Sequence, residues 1–202
     1  MSFKTLQYAL WGLVAVVGGA AGGYFYMNGL APKPVLTTTG TAAIGGPFVA
    51  VDHNGATITE AAFSGSPSLV FFGFTHCPEI CPTTLSDMAG WLAKMGDDGQ
   101  TIKSYFVTVD PERDTPEIMK DYVTAFSDRI TGITGTPEQV ERLLKNYRVY
   151  SRKVRTGDGN YTMDHSAVVI LLDAKSNFVS TIAYGEDEGV ALDKLKLLVK
   201  RG

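Results

Sequence analysis

Cys77 and Cys81 are the only cysteines in this chain of 202 residues, and they lie four positions apart. Two thiols held close together can form a disulfide, exchange electrons through one, or bind a soft metal ion. An inert disulfide across so short a segment closes too small a loop to stabilise the fold much. Two thiolates are also too few for a four-cysteine zinc site. The pair therefore favours redox or metal chemistry over a structural role.

A third ligand would distinguish a metal site from a redox pair, and the chain has three histidines. His53 lies beside Asn54-Gly55 in what we predict to be an exposed turn. His76 is next to Cys77, and neighbouring side chains in extended backbone point apart. His165 lies where a predicted hairpin joins a buried strand, a position that can face the loop after the first buried strand. From the residues alone, His165 is either a metal ligand or a hydrogen-bonded interior histidine.

The cysteines lie where a predicted strand meets a predicted helix. The apolar run Ser68–Thr75 is typical of a strand buried on both faces. Pro82 fits the first position of a helix that runs to about Met95. Backbone N–H groups and the dipole at a helix N-terminus favour thiolates there. Because a residue before proline avoids helical geometry, we predict a loop or a single turn over Cys77–Cys81.

The rest of the chain alternates strands and helices and then ends in a hairpin, two strands and a helix. Three residues that could cap or start helices, Thr115, Thr136 and Glu188, mark the predicted helix N-termini. This order predicts an α/β sandwich with a mixed central sheet and flanking helices. The predicted elements are a strand pair over Phe48–Thr59, a strand Ile102–Val109, helices Pro116–Phe126 and Pro137–Asn146, a hairpin of Tyr147–Arg155 with Tyr161–Met163, strands Ala167–Leu172 and Phe178–Tyr184, and a helix Glu188–Val199.

The N-terminal stretch Leu6–Tyr26 carries no charged residue. As a helix it would be roughly 31 Å long, about the hydrocarbon thickness of a bilayer. The small residues at 18–21 also suit a cleaved signal peptide, but the length of the run favours a retained transmembrane anchor. We therefore expect an anchor over residues 1–30, a Pro/Gly/Thr-rich linker over 31–46 and one globular domain over 47–202. Lys4 precedes the stretch and Lys33 follows it, and we predict the N-terminus in the cytoplasm and the domain in the periplasm.

Overall charge argues against one class of partner. The formal net charge is −3 and the pI is about 5.6. A nucleic-acid partner usually requires a basic face, so we expect none.

Four segments of the chain resemble the motifs of the Sco/SenC family, in the same order. They are Phe72–Leu85, Val109–Pro116, Ile133–Gln139 and Asp164–Ser166. One departure is Glu79, where the family often has Asp, and both residues are acidic. The resemblance covers about residues 40–200. It implies a membrane-anchored, thioredoxin-like, copper-binding factor for the assembly of cytochrome c oxidase.

The resemblance also implies a ligand set, because its motifs contain Cys77, Cys81 and His165. As in the family, these three would coordinate copper, as Cu(I) or Cu(II). Thiolates suit soft Cu(I), and an imidazole suits either oxidation state. Asp110 and Asp164 are candidates for orienting a ligand from behind. Arg113 and Asp114, by contrast, are expected to structure the loop or to face a partner.

The function that the resemblance implies is that of a metallochaperone rather than an enzyme. Copper would be delivered to the CuA centre of cytochrome c oxidase subunit II. Other periplasmic copper chaperones and thiol reductants would be further partners. The location would be the inner membrane, with a single span and the domain facing the periplasm.

Two alternatives use the same cysteines. A thiol–disulfide oxidoreductase could cycle the pair and act on the cysteines of the oxidase CuA site or on other periplasmic thiols. Thioredoxin-type oxidoreductases resemble one another in a late proline that faces the cysteine pair. This chain has no proline after Pro137, and His165 takes that kind of position, which favours copper. A peroxidase of the peroxiredoxin sort is the weaker alternative, because Thr75 is only two residues before Cys77.

Overall fold

The structure, a computed structural model, describes residues 3–30, 44–157 and 159–201. The chain divides into two compact units, residues 1–41 and residues 42–202. Most of the predicted linker, residues 31–43, lies outside the described residues.

The first unit contains one helix, α1, over Phe3–Leu30. Among the residues that the structure describes, no helix combines the length and the apolar character needed to cross a membrane. The transmembrane span predicted over Leu6–Tyr26 is therefore not confirmed.

The second unit is built on a mixed sheet of seven strands in the order β2-β1-β5-β4-β3-β8-β9. The central strands β3, β4 and β5 are parallel to one another, and the outer pairings are antiparallel. A separate two-stranded hairpin pairs β6 with β7. The strands are β1 Val49–Asp52, β2 Thr57–Thr59, β3 Ser68–Gly73, β4 Lys103–Thr108, β5 Ile130–Thr134, β6 Ser151–Arg155, β7 Tyr161–His165, β8 Val168–Leu172 and β9 Phe178–Ala183.

The helices of this unit pack their apolar faces into the same hydrophobic core as the sheet. They are α2 Ile80–Lys94, the short α3 Asp97–Gln100, α4 Pro116–Thr124, α5 Pro137–Asn146 and α6 Glu188–Arg201, with a 3₁₀ helix over Glu60–Phe63. Leu85 of α2, Met119 of α4 and Leu143 of α5 are all fully buried in this core. Strand β3 is buried along its whole length, and β4 and β8 pair with its two edges. The predicted α/β sandwich with a mixed sheet is confirmed.

Two helices begin as the sequence predicts. Thr115 accepts a hydrogen bond from the backbone N–H of Ile118 at the start of α4. Thr136 forms a reciprocal capping box with Gln139 at the start of α5. In both helices a proline follows the cap, where its missing N–H removes no helical hydrogen bond.

Strand β5, over Ile130–Thr134, is absent from the predicted elements. It lies inside the sheet, between β1 and β4. Its sequence is short and is interrupted by Gly132, so it gives neither an alternating pattern nor a long apolar run. A Cβ at Gly132 would lie 3.3 Å from side-chain atoms of His53 and Met119, so a larger residue there would have to push these side chains slightly apart.

Candidate metal centre

The turn between β3 and α2 holds both cysteines. Helix α2 begins at Ile80, two residues before the predicted start at Pro82, so Cys81 lies in its first turn and the predicted loop or single turn ends at Glu79. Pro82 is the third residue of the helix. A backbone N–H has no intrahelical acceptor in the first turn, so proline is tolerated there. The N–H of Cys81 instead points to Cys77, whose Sγ accepts at 3.4 Å.

Gly73, the last residue of β3, makes room for the Cys81 sulfur. Cys81 is completely buried, whereas Cys77 is partly exposed. A Cβ at Gly73 would lie 2.7 Å from the Cys81 Sγ and 2.7 Å from a ring carbon of Phe106. The sulfur therefore occupies space that any larger residue at position 73 would fill. Sequence analysis missed this role, although a glycine that ends an apolar strand is a signal of close approach.

His165, at the end of β7, brings a third donor to the two sulfurs. Its Nε2 lies 3.6 Å from the Cys81 Sγ. Its Nδ1 is 3.1 Å from the carbonyl oxygen of Ser166, which can only accept, so we assign the Nδ1 proton to this bond. The neutral ring then presents the Nε2 lone pair to the sulfurs. The candidate ligand atoms of Cys77, Cys81 and His165 all lie within 4.8 Å of one another.

Two aromatic rings fix the orientation of the His165 imidazole. Phe74 stands perpendicular to it, with ring centroids 5.8 Å apart. The centroid of the Phe71 ring is 6.2 Å from that of the His165 ring. Both phenylalanines are buried. Phe71 belongs to β3, and Phe74 directly follows it. The same strand therefore positions the cysteine turn and the histidine ring.

The two cysteines have opposite pKa shifts because they share a hydrogen bond. The Cys81 thiol donates to the Cys77 sulfur, and this bond, together with hydrogen bonds from the backbone, lowers the pKa of Cys77 to about 4 despite its partial burial. The same hydrogen bond, with burial, raises the pKa of Cys81. The metal-free pair therefore holds one thiolate and one thiol, and binding of a metal ion must release the Cys81 proton.

The other two histidines lie apart from this group. His53 is partly buried, and its Nδ1 accepts a hydrogen bond of 2.8 Å from the backbone N–H of Gly132. It lies at the start of the predicted exposed turn and links that turn to β5. His76 is exposed, and its Nδ1 lies 3.1 Å from the hydroxyl of Thr75.

Asp110 contacts Arg113 and Tyr161, two residues that connect the loop after β4 to β7. Its buried carboxylate pairs with Arg113 and accepts a hydrogen bond of 2.9 Å from the Tyr161 hydroxyl. The Arg113 guanidinium lies 3.8 Å from the centre of the Tyr161 ring and donates to the Tyr161 carbonyl oxygen at 3.1 Å. These contacts attach the loop after β4 to β7, the strand that carries His165. The Asp164 carboxylate instead pairs with exposed Arg152 at 2.7 Å.

Asp114 holds the cysteine turn in place. It is completely buried and accepts hydrogen bonds of 2.6 Å from the hydroxyls of Thr75 and Thr108. The backbone N–H of Thr75 donates to the same carboxylate at 3.2 Å. Burial raises the pKa of Asp114. Its role is the loop-structuring one that the sequence suggested, and it ties the residue two positions before Cys77 to the end of β4.

Two of the three candidate ligands line a surface cavity of about 420 Å³. Cys77 and His165 line it, while Cys81 lies behind them. The remaining lining residues are Phe74, Pro78, Glu79, Ile80, Tyr150, Thr162, Met163 and Asp164. Two sulfurs and one imidazole, closed on the inner side and open on the outer side, fit a copper site from which the ion can be exchanged.

A comparison with known sequences gives a consistent answer. The sequence profile of the SCO1/SenC family matches residues 36–200. The chain is similar to mitochondrial SCO2 of Saccharomyces cerevisiae, at 38% identity over 160 residues, which is 78% of this chain and 53% of that protein. It is similar to SenC of Rhodobacter capsulatus, at 36% identity over 143 residues, or 71% of this chain and 65% of SenC. The chain thus spans less than two thirds of each relative.

Solved structures show the same likeness. Copper-bound ScoI of Bradyrhizobium japonicum has 43% sequence identity and a TM-score of 0.71, covering 77% of this chain and 99% of that one. Copper-bound yeast Sco1 has 36% identity and a TM-score of 0.72, covering 79% and 90%. BsSco, from the Sco family of cytochrome c oxidase assembly proteins, is 20% identical with a TM-score of 0.62, covers 79% and 95%, and is alike in fold alone. The second unit of this chain thus has the thioredoxin-like α/β fold.

Proposed function

This chain belongs to the SCO1/SenC family, and from that premise we propose that it binds copper through Cys77, Cys81 and His165 and delivers it during the assembly of cytochrome c oxidase. One observation carries the proposal. The sulfurs of two neighbouring cysteines and an imidazole from a residue 84 positions beyond Cys81 lie within 4.8 Å of one another. The copper-bound relatives support copper as the ion. The CuA centre of subunit II is the proposed destination.

The burial of the ligands suggests how copper is held and released. Two thiolates and a neutral imidazole give a near-trigonal site for Cu(I). Cys81 loses its proton when copper binds and regains it when copper leaves, while the copper stays Cu(I) throughout. Cys77 and His165 face the cavity, so a thiolate of the acceptor can approach the ion there and replace one ligand at a time.

Copper binding by the full-length chain in detergent tests the proposal. We expect about one copper per chain, and we expect His165→Ala to weaken Cu(II) binding strongly because imidazole is the ligand that suits Cu(II). His76→Ala is the matched control, since His76 is exposed and outside the ligand group. Equal copper binding by His165→Ala and the parent would refute the three-ligand site.

A second candidate function, thiol–disulfide exchange, is favoured by the asymmetry of the two cysteines. Cys77 is the thiolate and lines the cavity, and Cys81 lies behind it as a thiol. Cys77 would attack a disulfide of the oxidase CuA site or of another periplasmic protein and release one thiol. Cys81 would then displace the second thiol and lose its proton. The partner is reduced, and this chain is left with a disulfide that a thiol reductant must reduce.

Cells that lack the parent chain and express its variants separate the two functions. If the chain delivers copper, added copper should restore oxidase activity in cells that carry His165→Ala. If the chain reduces disulfides, His165→Ala should keep disulfide-reducing activity in vitro, and Cys77→Ser should lose it. Failure of copper to restore the oxidase would favour the redox function.

Attachment to the inner membrane, with the domain in the periplasm, stays a prediction from the sequence. Its support is the uncharged stretch Leu6–Tyr26. Carbonate extraction of membranes from cells that express the full chain tests the attachment. Protease treatment of intact spheroplasts tests the side on which the domain lies. Recovery of the uncleaved chain in the soluble fraction would contradict the anchor.

A further inference from the structure

The face of β7 that carries His165 also carries Tyr161 and Met163, because alternate residues of a strand share a face. Tyr161 and His165, on either side of Met163 along this face, both have contacts near the cysteine turn. The Nε2 of His165 reaches the Cys81 sulfur. Arg113 lies over the Tyr161 ring and 5.9 Å from the centre of the Phe74 ring. Met163, between them, therefore projects toward the same turn.

Met163 lines the same cavity as Cys77 and His165. Among the described residues that line this cavity, Met163 and Cys77 are the two that carry sulfur. The Cα atoms of Met163 and His165, two positions apart on a strand, are separated by about 7 Å. A methionine side chain has three rotatable bonds and a polarizable thioether, so its sulfur can move over such a distance toward a bound ion.

We propose that the Met163 thioether is a transient ligand of Cu(I) during loading and release, an inference that rests on the proposed copper-binding function. As copper leaves, a Cu–S bond to Met163 forms while the Cu–Nε2 bond to His165 breaks. Both donors are neutral, so the exchange moves no proton and leaves the charge of the complex unchanged. The copper stays Cu(I), and an incoming thiolate of the acceptor then replaces the thioether.

The choice of a thioether for this step follows from its chemistry. A thioether is a soft donor that suits Cu(I) and disfavours Cu(II). It is also a weaker donor than a thiolate, so it does not displace Cys77 or Cys81 from the resting site. The simpler explanation is that Met163 is an apolar side chain packed against the core. Leucine preserves apolar volume and removes the sulfur, so Met163→Leu separates the two explanations.

The first test measures Cu(I) transfer between the full-length chain in detergent and the chelator bathocuproine disulfonate, without oxygen. We expect Met163→Leu to slow loading and release by the same factor, about tenfold, and to leave the equilibrium affinity unchanged. Met95→Leu is the matched control. Met95 is also partly buried, but it caps the other end of α2 from Cys81. Equal rates for Met163→Leu, Met95→Leu and the parent would overturn the proposal.

A second test traps the transient bond. In His165→Ala the imidazole is gone, and Met163 is the next donor along the same face. With selenomethionine in place of methionine, X-ray absorption at the copper edge should detect a selenium neighbour of Cu(I) in His165→Ala and none in His165→Ala/Met163→Leu. Absence of selenium in both would overturn the proposal. A parent chain that bound no copper at all would instead refute the proposed function.

Discussion

Replacement of Gly73 by alanine tests whether the end of β3 shapes the metal centre. The added methyl group would lie 2.7 Å from both the Cys81 Sγ and a ring carbon of Phe106. Neither neighbour has room to move. Cys81 is completely buried in the first turn of α2, and the Phe106 ring packs between Phe71 and Tyr122, with centroids 5.9 Å and 5.5 Å away.

Two consequences follow from this overlap. An extra methyl group in a tightly packed core costs about 1–3 kcal/mol, so we expect Gly73→Ala to lower the free energy of unfolding by that amount. The Cys81 sulfur is also displaced from Cys77 and His165, so copper binding should weaken. Urea denaturation, followed by circular dichroism, measures the first effect, and competition with a copper chelator measures the second.

Gly90→Ala is the matched control, because it adds the same methyl group to α2 where, apart from the local helix backbone, no atom of the described residues lies within 4 Å. An alanine inside a helix is more favourable than a glycine by about 1 kcal/mol, so this variant should be as stable as the parent or more stable. Its copper binding should be unchanged. If Gly73→Ala matched Gly90→Ala in both stability and copper binding, the explanation based on close packing would be refuted.

Three further predictions concern single groups. The hydroxyl of Tyr122 is buried and has no hydrogen-bond partner among the residues that the structure describes, so Tyr122→Phe should raise the free energy of unfolding by up to about 1 kcal/mol in urea denaturation, and a loss of stability would contradict this. Thr136→Ala removes the capping box of α5 and should cost about 1 kcal/mol in the same assay, whereas an unchanged midpoint would show that the cap is unimportant. Because the pKa of Cys77 is about 4, its alkylation by iodoacetamide in the metal-free chain should change little between about pH 8 and about pH 6. Cys81→Ala removes the donor whose hydrogen bond lowers this pKa, so there the rate should fall as the pH falls, and the same fall in the parent would contradict the shared hydrogen bond.

The sequence predicted the elements whose signals are local. The apolar run at Ser68–Thr75 identified β3, because a strand buried on both faces needs apolar residues at every position. Thr-Pro pairs located the starts of α4 and α5, because capping involves only neighbouring residues. The same reasoning failed at Cys81 and at β5, where the burial of the residue depends on partners elsewhere in the chain.

The candidate ligands were also predicted from the sequence, through the four motifs that resemble the Sco/SenC family. The spacing of Cys77 and Cys81 is enough to place two sulfurs near each other, because they lie within one turn. From the local sequence pattern alone, His165 could be either a metal ligand or a hydrogen-bonded interior histidine. Sequence analysis missed the space that Gly73 leaves for a sulfur and the pairing of the Asp110 and Asp164 carboxylates with Arg113 and Arg152.

The amino-acid sequence by itself determined the type of site: two thiols at a strand–helix junction and a histidine in a motif far along the chain. Only the tertiary structure decided that the Nε2 of His165 meets the Cys81 sulfur, that Cys77 faces the cavity, and that Met163 lines it too. The physical reason is that spacing along the chain fixes contacts within a turn. Contacts across the fold depend on how β7 and the cysteine turn pack against β3, which involves buried residues from the whole second unit.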